Sequence, residues 1–271
     1  MDFEQITYEQ RGKVGLITLN RPEKLNAWTP KMMAEMRQAM DAAVAEPSIS
    51  AIVVAANGRG FCAGADISQV FAKRVEAIES GDDNADAATT AAGSRSWVDY
   101  LRTLPKPTIA AVQGAAVGIG VTQILPMDIR IAADNARFGF FFVKMGLMPE
   151  LASSALLPQM VGMSRAIEWC LTGRMISGVE AKEAGLVSEV VPVDQLLERA
   201  LALGETIANN PGPAMAAIRK LLIGNAHNDD IAAVQRSEGA ALEAAYRTPE
   251  HKEAIAAFME KRTPNFAALA H

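Results

Sequence analysis

Two short apolar runs, each followed by a glycine-rich segment, constrain the fold more than any other feature of this sequence. The runs are Ala51–Ala56 and Thr108–Val112, and the segments that follow them span 57–67 and 113–120. An apolar run this short, bounded by turn-forming residues, indicates a buried strand rather than a helix. Since each strand leads through glycine into a helix, the pattern predicts an α/β core. Ligands bind at loops that follow the strands of such sheets, so we expect a site there.

The remaining sequence completes this core and then becomes helical. Thr29, which precedes a proline, predicts the N-terminus of a long helix. Residues 137–143 are predicted to form a fourth core strand that carries three consecutive phenylalanines. The segment 79–96 is rich in Ala, Asp, Ser and Thr, and we expect a mobile loop or lid there. We therefore divide the chain into an α/β core, residues 1–190, and a helical region, residues 191–271.

Composition excludes several classes of function. The chain has 271 residues and a formal net charge of -5, which argues against a protein that coats nucleic acid or anionic membranes. Its two cysteines, Cys62 and Cys170, provide neither a disulfide framework nor a metal-binding spacing. No apolar run approaches the ~20 residues that span a bilayer, and the N-terminus lacks the pattern of a secretory signal. We expect a cytoplasmic protein without a metal site.

The two glycine-rich segments offer a specific chemistry. Small residues around Ala65 would let a ligand approach the main chain closely. If the Ala65 N–H points into a pocket, it can donate a hydrogen bond to a developing oxyanion. Two preorganised donors, one from each segment, are what a thioester enolate requires. The alternative is that both segments are ordinary strand-to-helix turns without a ligand.

Several motifs, taken together, resemble a known family. They are Asn20-Arg21-Pro22-Glu23-Lys24-Leu25-Asn26-Ala27, Gly60-Phe61-Cys62-Ala63-Gly64-Ala65-Asp66-Ile67, Lys106-Pro107-Thr108-Ile109-Ala110-Ala111-Val112-Gln113-Gly114, and the segment from Thr172 to Val187. They look like the enoyl-CoA hydratase/isomerase (crotonase) superfamily, and they follow its order along nearly the whole chain. The resemblance implies a crotonase-like ββα spiral core with a C-terminal helical region that builds a homotrimer or a hexamer. It also implies an acyl-CoA substrate of fatty-acid metabolism and no metal or redox cofactor.

The resemblance also assigns roles to individual residues. Ala65 and Ile119 would supply the two N–H donors of an oxyanion hole, with Ile119 standing where the family usually has a glycine. Phe142 and its aromatic neighbours would make the substrate site apolar. The residues implied to bind CoA are Lys24, Leu25, Ala63, Asp66, Ile67, Phe258 and Lys261.

The catalytic acids are where the sequence departs from the family's hydratases. Thr122 and Phe142 occupy the positions of the two customary glutamates, and neither side chain can transfer protons as a carboxylate does. Glu150 remains, in a stretch that resembles the peroxisomal-type branch of 3,2-enoyl-CoA isomerases, where one glutamate is the sole acid/base. The resemblance therefore implies a 3,2-enoyl-CoA isomerase with Glu150 as its base.

Other interpretations stay open at this point. The protein could be an enoyl-CoA hydratase that uses another base, an acyl-CoA thioester hydrolase, or a non-catalytic acyl-CoA-binding protein. Glu150 could be a solvated turn residue, the usual environment of a glutamate. Asp66 is more often a helix cap than a catalyst, and Cys62 is more simply a small packed residue than a nucleophile.

Overall fold

The main sheet forms the centre of the protein. A computed structural model describes residues 2–81 and 95–269. In these ranges a six-stranded sheet has the order β1-β2-β3-β4-β6-β9. Its first two strands pair as an antiparallel hairpin, and every later pair is parallel. The strands of this sheet are β1 (Ile6–Arg11), β2 (Val14–Leu19), β3 (Ala51–Ala56), β4 (Thr108–Val112), β6 (Ile129–Ala133) and β9 (Glu189–Val191).

Strand β3 lies in the interior of this sheet, which explains its wholly apolar sequence. Ile52 and Val54 pack into the larger of two hydrophobic clusters, whereas Val53 packs into the smaller one. Successive residues of a strand point to opposite faces, so a strand covered on both faces has no position for a polar side chain. The bounds predicted for β3 and β4 agree with the structure.

Helices cover both faces of the main sheet. On one face, helix α1 (Pro30–Ala45) buries Met32, Met36 and Met40 in the larger cluster. The Thr29 side chain accepts a hydrogen bond from the Met32 N–H, so the predicted N-cap is confirmed. The other face is covered by a later helix, α8 (Leu196–Ala208), which belongs to the helical region but completes the core.

A second, three-stranded sheet packs beside the first, and its strand β5 lies within the second glycine-rich segment, residues 113–120. Its order is β5-β7-β8, and the strands are β5 (Ala115–Val117), β7 (Arg137–Gly139) and β8 (Met175–Ser177). The prediction of one strand over 137–143 is wrong because β7 ends at Gly139. The chain then turns, and Val143–Met145 form a single 3-10 turn. Strand β5 was not predicted, since three residues inside a glycine-rich segment carry no strand pattern.

The other helices connect the strands and form the C-terminal region. They are α2 (Lys73–Glu79), which continues a π-helical stretch (Ile67–Ala72), α3 (Trp97–Thr103), α4 (Ile119–Thr122), α5 (Ser153–Val161), α6 (Met163–Thr172), α7 (Gly178–Glu183), α9 (Gly212–Asn225), α10 (Ile231–Ala245) and α11 (Pro249–Met259). Most of the predicted lid, residues 82–94, lies outside the described residues. Within the described ranges, every helix is too short or too polar to cross a membrane.

Arg219 ties α9 to the core. This arginine is buried, and its Nε donates to Asp128 Oδ1 at 2.5 Å. Its other nitrogens donate to the carbonyl oxygens of Leu101 and Leu104. The second Asp128 oxygen accepts from the Thr108 N–H at 2.7 Å, at the start of β4. A buried charged pair in which each guanidinium nitrogen and each carboxylate oxygen has a hydrogen-bond partner holds the helix in one position.

Candidate active site

The two glycine-rich segments are joined by a backbone bridge. The Cys62 N–H donates to the Ala115 carbonyl oxygen at 2.9 Å, and the Val117 N–H donates to the Cys62 carbonyl oxygen at 3.0 Å. Gly120 lies against the same residue, and a Cβ at this position would overlap the Cys62 carbonyl oxygen. Glycine is therefore required at Gly120 for the two segments to approach this closely.

The backbone N–H groups of Ala65 and Ile119, beside this bridge, have no acceptor among the described residues, and those of their neighbours Gly64 and Gly120 have none either. Ile119 is the first residue of α4, where the N–H groups have no partner within the helix. Gly118 precedes it with φ 53° and ψ -123°, a conformation that side-chain-bearing residues rarely adopt. A Cβ built at Gly118 meets no atom within 4 Å, so the space beside this turn is open. The geometry therefore leaves free N–H donors on both of the joined segments, Ala65 and Ile119 among them.

A third loop, residues 21–27, is fastened to the segment that carries Ala65. Asn26 is fully buried, and its Oδ1 accepts from the Arg21 N–H at 2.8 Å. Its Nδ2 donates to the carbonyl oxygens of Asn57 at 2.8 Å and Gly60 at 3.0 Å. Backbone hydrogen bonds add to this link, since the Ala63 N–H donates to the Leu25 carbonyl oxygen at 3.0 Å.

Asp66 has a structural role in the described contacts. Its Oδ1 accepts from the Gln69 N–H at 3.2 Å, which caps the following helical stretch. Its Oδ2 pairs with the Arg21 guanidinium at 3.1 Å. Hydrogen bonds from Ser68, then from Arg21, lower the pKa of this carboxyl despite its burial. A carboxylate held in its charged form by these partners is suited to capping rather than to proton transfer.

Glu150 lies against α4. The Thr122 hydroxyl donates a hydrogen bond to Glu150 Oε1 across 28 residues of sequence. Ile119 and Thr122 are one helical turn apart, so this contact brings the carboxyl group to the helix that carries the free Ile119 N–H. Burial raises the pKa of the Glu150 carboxyl, and the hydrogen bond from Thr122 lowers it in part. Glu150 is half-buried, which differs from the solvated turn residue considered as an alternative.

The backbone after Glu150 has an unusual conformation. Leu151 and Ala152 both have positive φ, at 48° and 56°. Left-handed conformations are unfavourable for residues with a side chain, and two in succession are uncommon. The turn closes where the Ser153 N–H donates to the Glu150 carbonyl oxygen at 2.9 Å, and α5 begins there. The Ser153 hydroxyl is buried, with no hydrogen-bond partner in the described part of the chain.

The aromatic residues after β7 belong largely to the core. Phe140 stacks on Trp169 with ring centroids 6.1 Å apart, and Phe142 lies 6.4 Å from Phe140. Both phenylalanines are buried. Phe142 therefore fills an apolar space in the core. Its predicted contact with substrate stays a prediction.

The other residues predicted to bind CoA lie at the surface. Lys24 and Ala63 are exposed on neighbouring loops, and Ile67 is exposed at the start of the π-helical stretch. Phe258 and Lys261 lie at the end of α11, where Phe258 is 81% exposed. Within the described residues, no hydrogen bond or ion pair joins this end of α11 to the loops around Lys24 and Ala63. Hydrogen bonds thus link the loop residues to one another, and no such bond links the α11 pair to them in the described residues.

Two cavities occur elsewhere in the described structure. One of about 630 Å³ lies between the sheet and α8, and one of about 690 Å³ lies beside α9. Neither is lined by Ala65, Ile119 or Glu150. The candidate site is instead marked by the free N–H groups of Ala65 and Ile119 and by the partly buried carboxyl of Glu150.

Comparison with known proteins identifies the family. The family model described as enoyl-CoA hydratase/isomerase matches residues 9–268. The chain belongs to the enoyl-CoA hydratase/isomerase family. It is 36% identical over 266 residues to a protein of Mycobacterium tuberculosis named probable enoyl-CoA hydratase, covering 98% of this chain and 99% of that protein. It is also 36% identical to the mitochondrial enoyl-CoA hydratase of Pongo abelii, covering 98% of this chain and 88% of that protein.

Solved structures agree with this membership. The crystal structure of an enoyl-CoA hydratase from Polaromonas sp. JS666 superposes with a TM-score of 0.86 at 32% identity, covering 96% of this chain and 98% of that one. The predicted crotonase-like fold is confirmed, and the protein is an acyl-CoA enzyme of the enoyl-CoA hydratase/isomerase family. Among residues 2–81 and 95–269, no three His, Cys, Asp or Glu side chains are grouped to hold a metal.

The sequence did not reveal two residues of the site. Asn26 appeared only as part of a motif, although its buried amide connects two loops. Thr122 was considered for its inability to act as a base, and its contact with Glu150 was not foreseen. The sequence signal for Thr122 is a polar residue early in a helix that follows a glycine turn. That signal does not reveal which residue the side chain contacts.

Proposed function

We propose that this protein moves the double bond of a 3-enoyl-CoA to the 2-position, with Glu150 as the base. The observation that carries the proposal is the hydrogen bond between Thr122 and Glu150. It brings a partly buried carboxyl group to the same short helix that presents the free Ile119 N–H. A base and an electrophilic donor within one helical turn match the needs of proton abstraction beside a thioester carbonyl.

The proposed reaction transfers one proton within the substrate. Glu150 takes a proton from C2, and the electrons of the broken C–H bond form a dienolate whose oxygen carries the charge. The N–H groups of Ala65 and Ile119 donate to that oxygen and stabilise it. The protonated Glu150 then returns the proton at C4, which leaves the double bond between C2 and C3. No water is consumed and no electrons are lost, so the reaction as written needs no metal or redox cofactor.

The environment of Glu150 suits both halves of this reaction. Its pKa is raised, mainly by burial, from an ordinary value of 4.5. A base with a raised pKa holds the abstracted proton more strongly and still donates it in the second half. We further propose that Lys24, Leu25, Ala63 and Ile67 contact the CoA moiety, since they lie on the loops around Ala65.

A second candidate is enoyl-CoA hydratase, the activity after which the relatives from Mycobacterium tuberculosis and Pongo abelii are named. Adding water across a double bond requires a group that activates the water and a group that protonates carbon. The resemblance places Thr122 and Phe142 where hydratases have these glutamates, which favours the isomerase. Glu150 would have to perform both tasks in a hydratase.

We also propose a homotrimer, alone or paired into a hexamer. Large apolar side chains stand exposed on the C-terminal helices, including Leu222, Phe258 and Met259. Exposed apolar groups of this size favour association between copies. Light scattering during size-exclusion chromatography would test the proposal, and a monomer at micromolar concentration would contradict it.

The test of function uses two substrates and matched variants. With 3-hexenoyl-CoA, isomerisation raises the absorbance of the conjugated enoyl thioester, whereas hydration lowers it with crotonyl-CoA. Glu150→Gln should reduce isomerisation by about 100-fold or more. Glu183→Gln serves as the control, because Glu183 is an exposed glutamate on α7.

The outcomes separate the candidate functions. Isomerisation that Glu150→Gln abolishes and Glu183→Gln leaves unchanged supports the proposal. Hydration without isomerisation supports the hydratase, and release of free CoA, detected with a thiol reagent, supports a thioester hydrolase. Tight binding of acyl-CoA without any turnover indicates a non-catalytic protein. Full isomerase activity in Glu150→Gln excludes Glu150 as the base.

A further inference from the structure

We propose that Thr122 is a positioning residue for Glu150. Its hydroxyl donates to Glu150 Oε1 and leaves the other oxygen, Oε2, available to take the substrate proton. This inference rests on the proposed role of Glu150 as the base. Thr122 itself exchanges no proton with the substrate; it sets the orientation of the group that does.

The surroundings of Thr122 support this role. The residue has no exposed surface, and its backbone N–H donates to the Gly118 carbonyl oxygen at 3.0 Å in the first turn of α4. Among the described residues, the hydroxyl hydrogen bonds only to Glu150. Buried hydroxyl groups are nearly always hydrogen bonded, so the Glu150 carboxyl satisfies a donor that would otherwise be unpaired. The contact is therefore favourable for both partners.

The turn that carries Glu150 needs such a partner. The left-handed residues Leu151 and Ala152 fix the backbone direction at Glu150 but not its side chain. A free glutamate side chain samples many rotamers, and ordering it costs up to about 2 kcal/mol. A hydrogen bond from a buried, rigid donor selects one orientation before substrate arrives. This is the preorganisation that proton transfer requires.

The hydrogen bond also acts on the titration of the base. Burial raises the pKa of Glu150, and the Thr122 hydroxyl, by stabilising the ionised carboxylate, lowers it. Burial and this hydrogen bond account for the shift in the pKa of Glu150, and no charged group of the described residues contributes to it. Removing the hydroxyl should therefore raise the pKa further, because the lowering influence is lost and burial remains.

Thr122→Val and Thr122→Ser test the inference. Valine keeps the shape of threonine without the hydroxyl, whereas serine keeps the hydroxyl. For Thr122→Val we expect kcat with 3-hexenoyl-CoA to fall about 10- to 100-fold while KM changes little, because the base is misplaced and binding is not. The acidic limb of the kcat/KM profile should move to higher pH. Thr122→Ser should restore most of kcat and the original limb.

A loss of packing alone would not give this pattern. It would not move the pH limb, and serine, which loses the methyl group, would be worse than valine. Circular dichroism confirms that each variant folds, and Thr122→Ala provides a second hydroxyl-free variant if valine does not. Unchanged kcat and an unchanged pH limb in the hydroxyl-free variant would overturn the inference, as would a serine variant no better than it.

Glu150→Gln, measured in parallel, separates the positioning role of Thr122 from the proposed role of Glu150 as the base. If Glu150→Gln is inactive and Thr122→Val resembles the wild type, the positioning role fails and the base stands. If Glu150→Gln retains full activity, the proposed function fails and the inference fails with it.

Discussion

Asn26 should be one of the most sensitive positions in this protein. Its side chain makes three hydrogen bonds in a fully buried location, to the Arg21 N–H and to the carbonyl oxygens of Asn57 and Gly60. Asn26→Gly removes all three hydrogen bonds, and it suits the local backbone because Asn26 has φ 53°.

The expected magnitude follows from these contacts. A typical intramolecular hydrogen bond contributes about 1 kcal/mol net, so Asn26→Gly should lower the free energy of unfolding by about 3 kcal/mol. Asn26→Ala should cost about 1 kcal/mol more than Asn26→Gly, because alanine tolerates the left-handed conformation poorly. Asn26→Ala should therefore be more damaging than Asn26→Gly. At ordinary loop positions the order is reversed, and glycine is the more damaging replacement.

Urea unfolding, followed by circular dichroism at one fixed protein concentration, measures both effects. Asn57→Ala is the matched control. That side chain is exposed and donates one hydrogen bond, to Asn20 Oδ1 at 2.9 Å, while the Asn57 carbonyl oxygen that Asn26 contacts is retained. The control should cost about 0.5 kcal/mol or less. A change below about 1 kcal/mol in Asn26→Gly would refute the reasoning, since unsatisfied buried groups would then carry no penalty.

Three further predictions concern stability. Glu150→Gln should raise the unfolding midpoint above that of the wild type at pH 7.5, and this difference should disappear toward pH ~4. The reason is that a carboxyl with a raised folded-state pKa destabilises the native state only where it is ionised. A difference between variant and wild type that is the same at both pH values would contradict this. Arg219→Lys should lower the free energy of unfolding by about 3 kcal/mol, since one ammonium group cannot reach Asp128 and both backbone carbonyl oxygens; urea unfolding measures it, and a loss under about 1 kcal/mol would show that the pair contributes little. Ala152→Gly should stabilise by about 0.5–1 kcal/mol because it relieves a left-handed alanine at an exposed position; a lowered thermal midpoint would be the opposing result.

Local sequence patterns were enough to predict the elements that depend on local chemistry. The bounds of β3 and β4 follow from compact apolar runs, and the start of α1 follows from the capping preference of Thr29. Strand β7 was predicted too long because its aromatic run looks the same whether it continues a strand or fills the core around Trp169. A pattern of burial does not specify the backbone that achieves it.

In the candidate site, too, some features follow from the local sequence and others depend on how distant segments pack. The Ala65 N–H was considered as a donor from its glycine-rich segment, and the Ile119 N–H was assigned through the family resemblance. The structure leaves both without an acceptor in the described residues. The contact between Thr122 and Glu150 joins positions 28 residues apart, and nothing local to either position signals it. The hydrogen bonds of Asn26 are likewise set by how two loops meet. The roles of Ala65, Ile119 and Glu150 in catalysis stay predictions.

The bridge between Cys62 and β5 has a consequence for how this protein can change over evolutionary time. Because it consists of main-chain hydrogen bonds, the bridge does not depend on particular side chains. Its requirement at Gly120 is that no side chain is present, since a Cβ there would overlap the Cys62 carbonyl oxygen. Substitutions at exposed Ala63 or half-buried Ile119 can reshape the neighbouring space while the backbone that links the two segments stays in place. Under the proposed function, substitution of a few side chains would fit the site to new acyl groups while the backbone donors of the reaction stay in place.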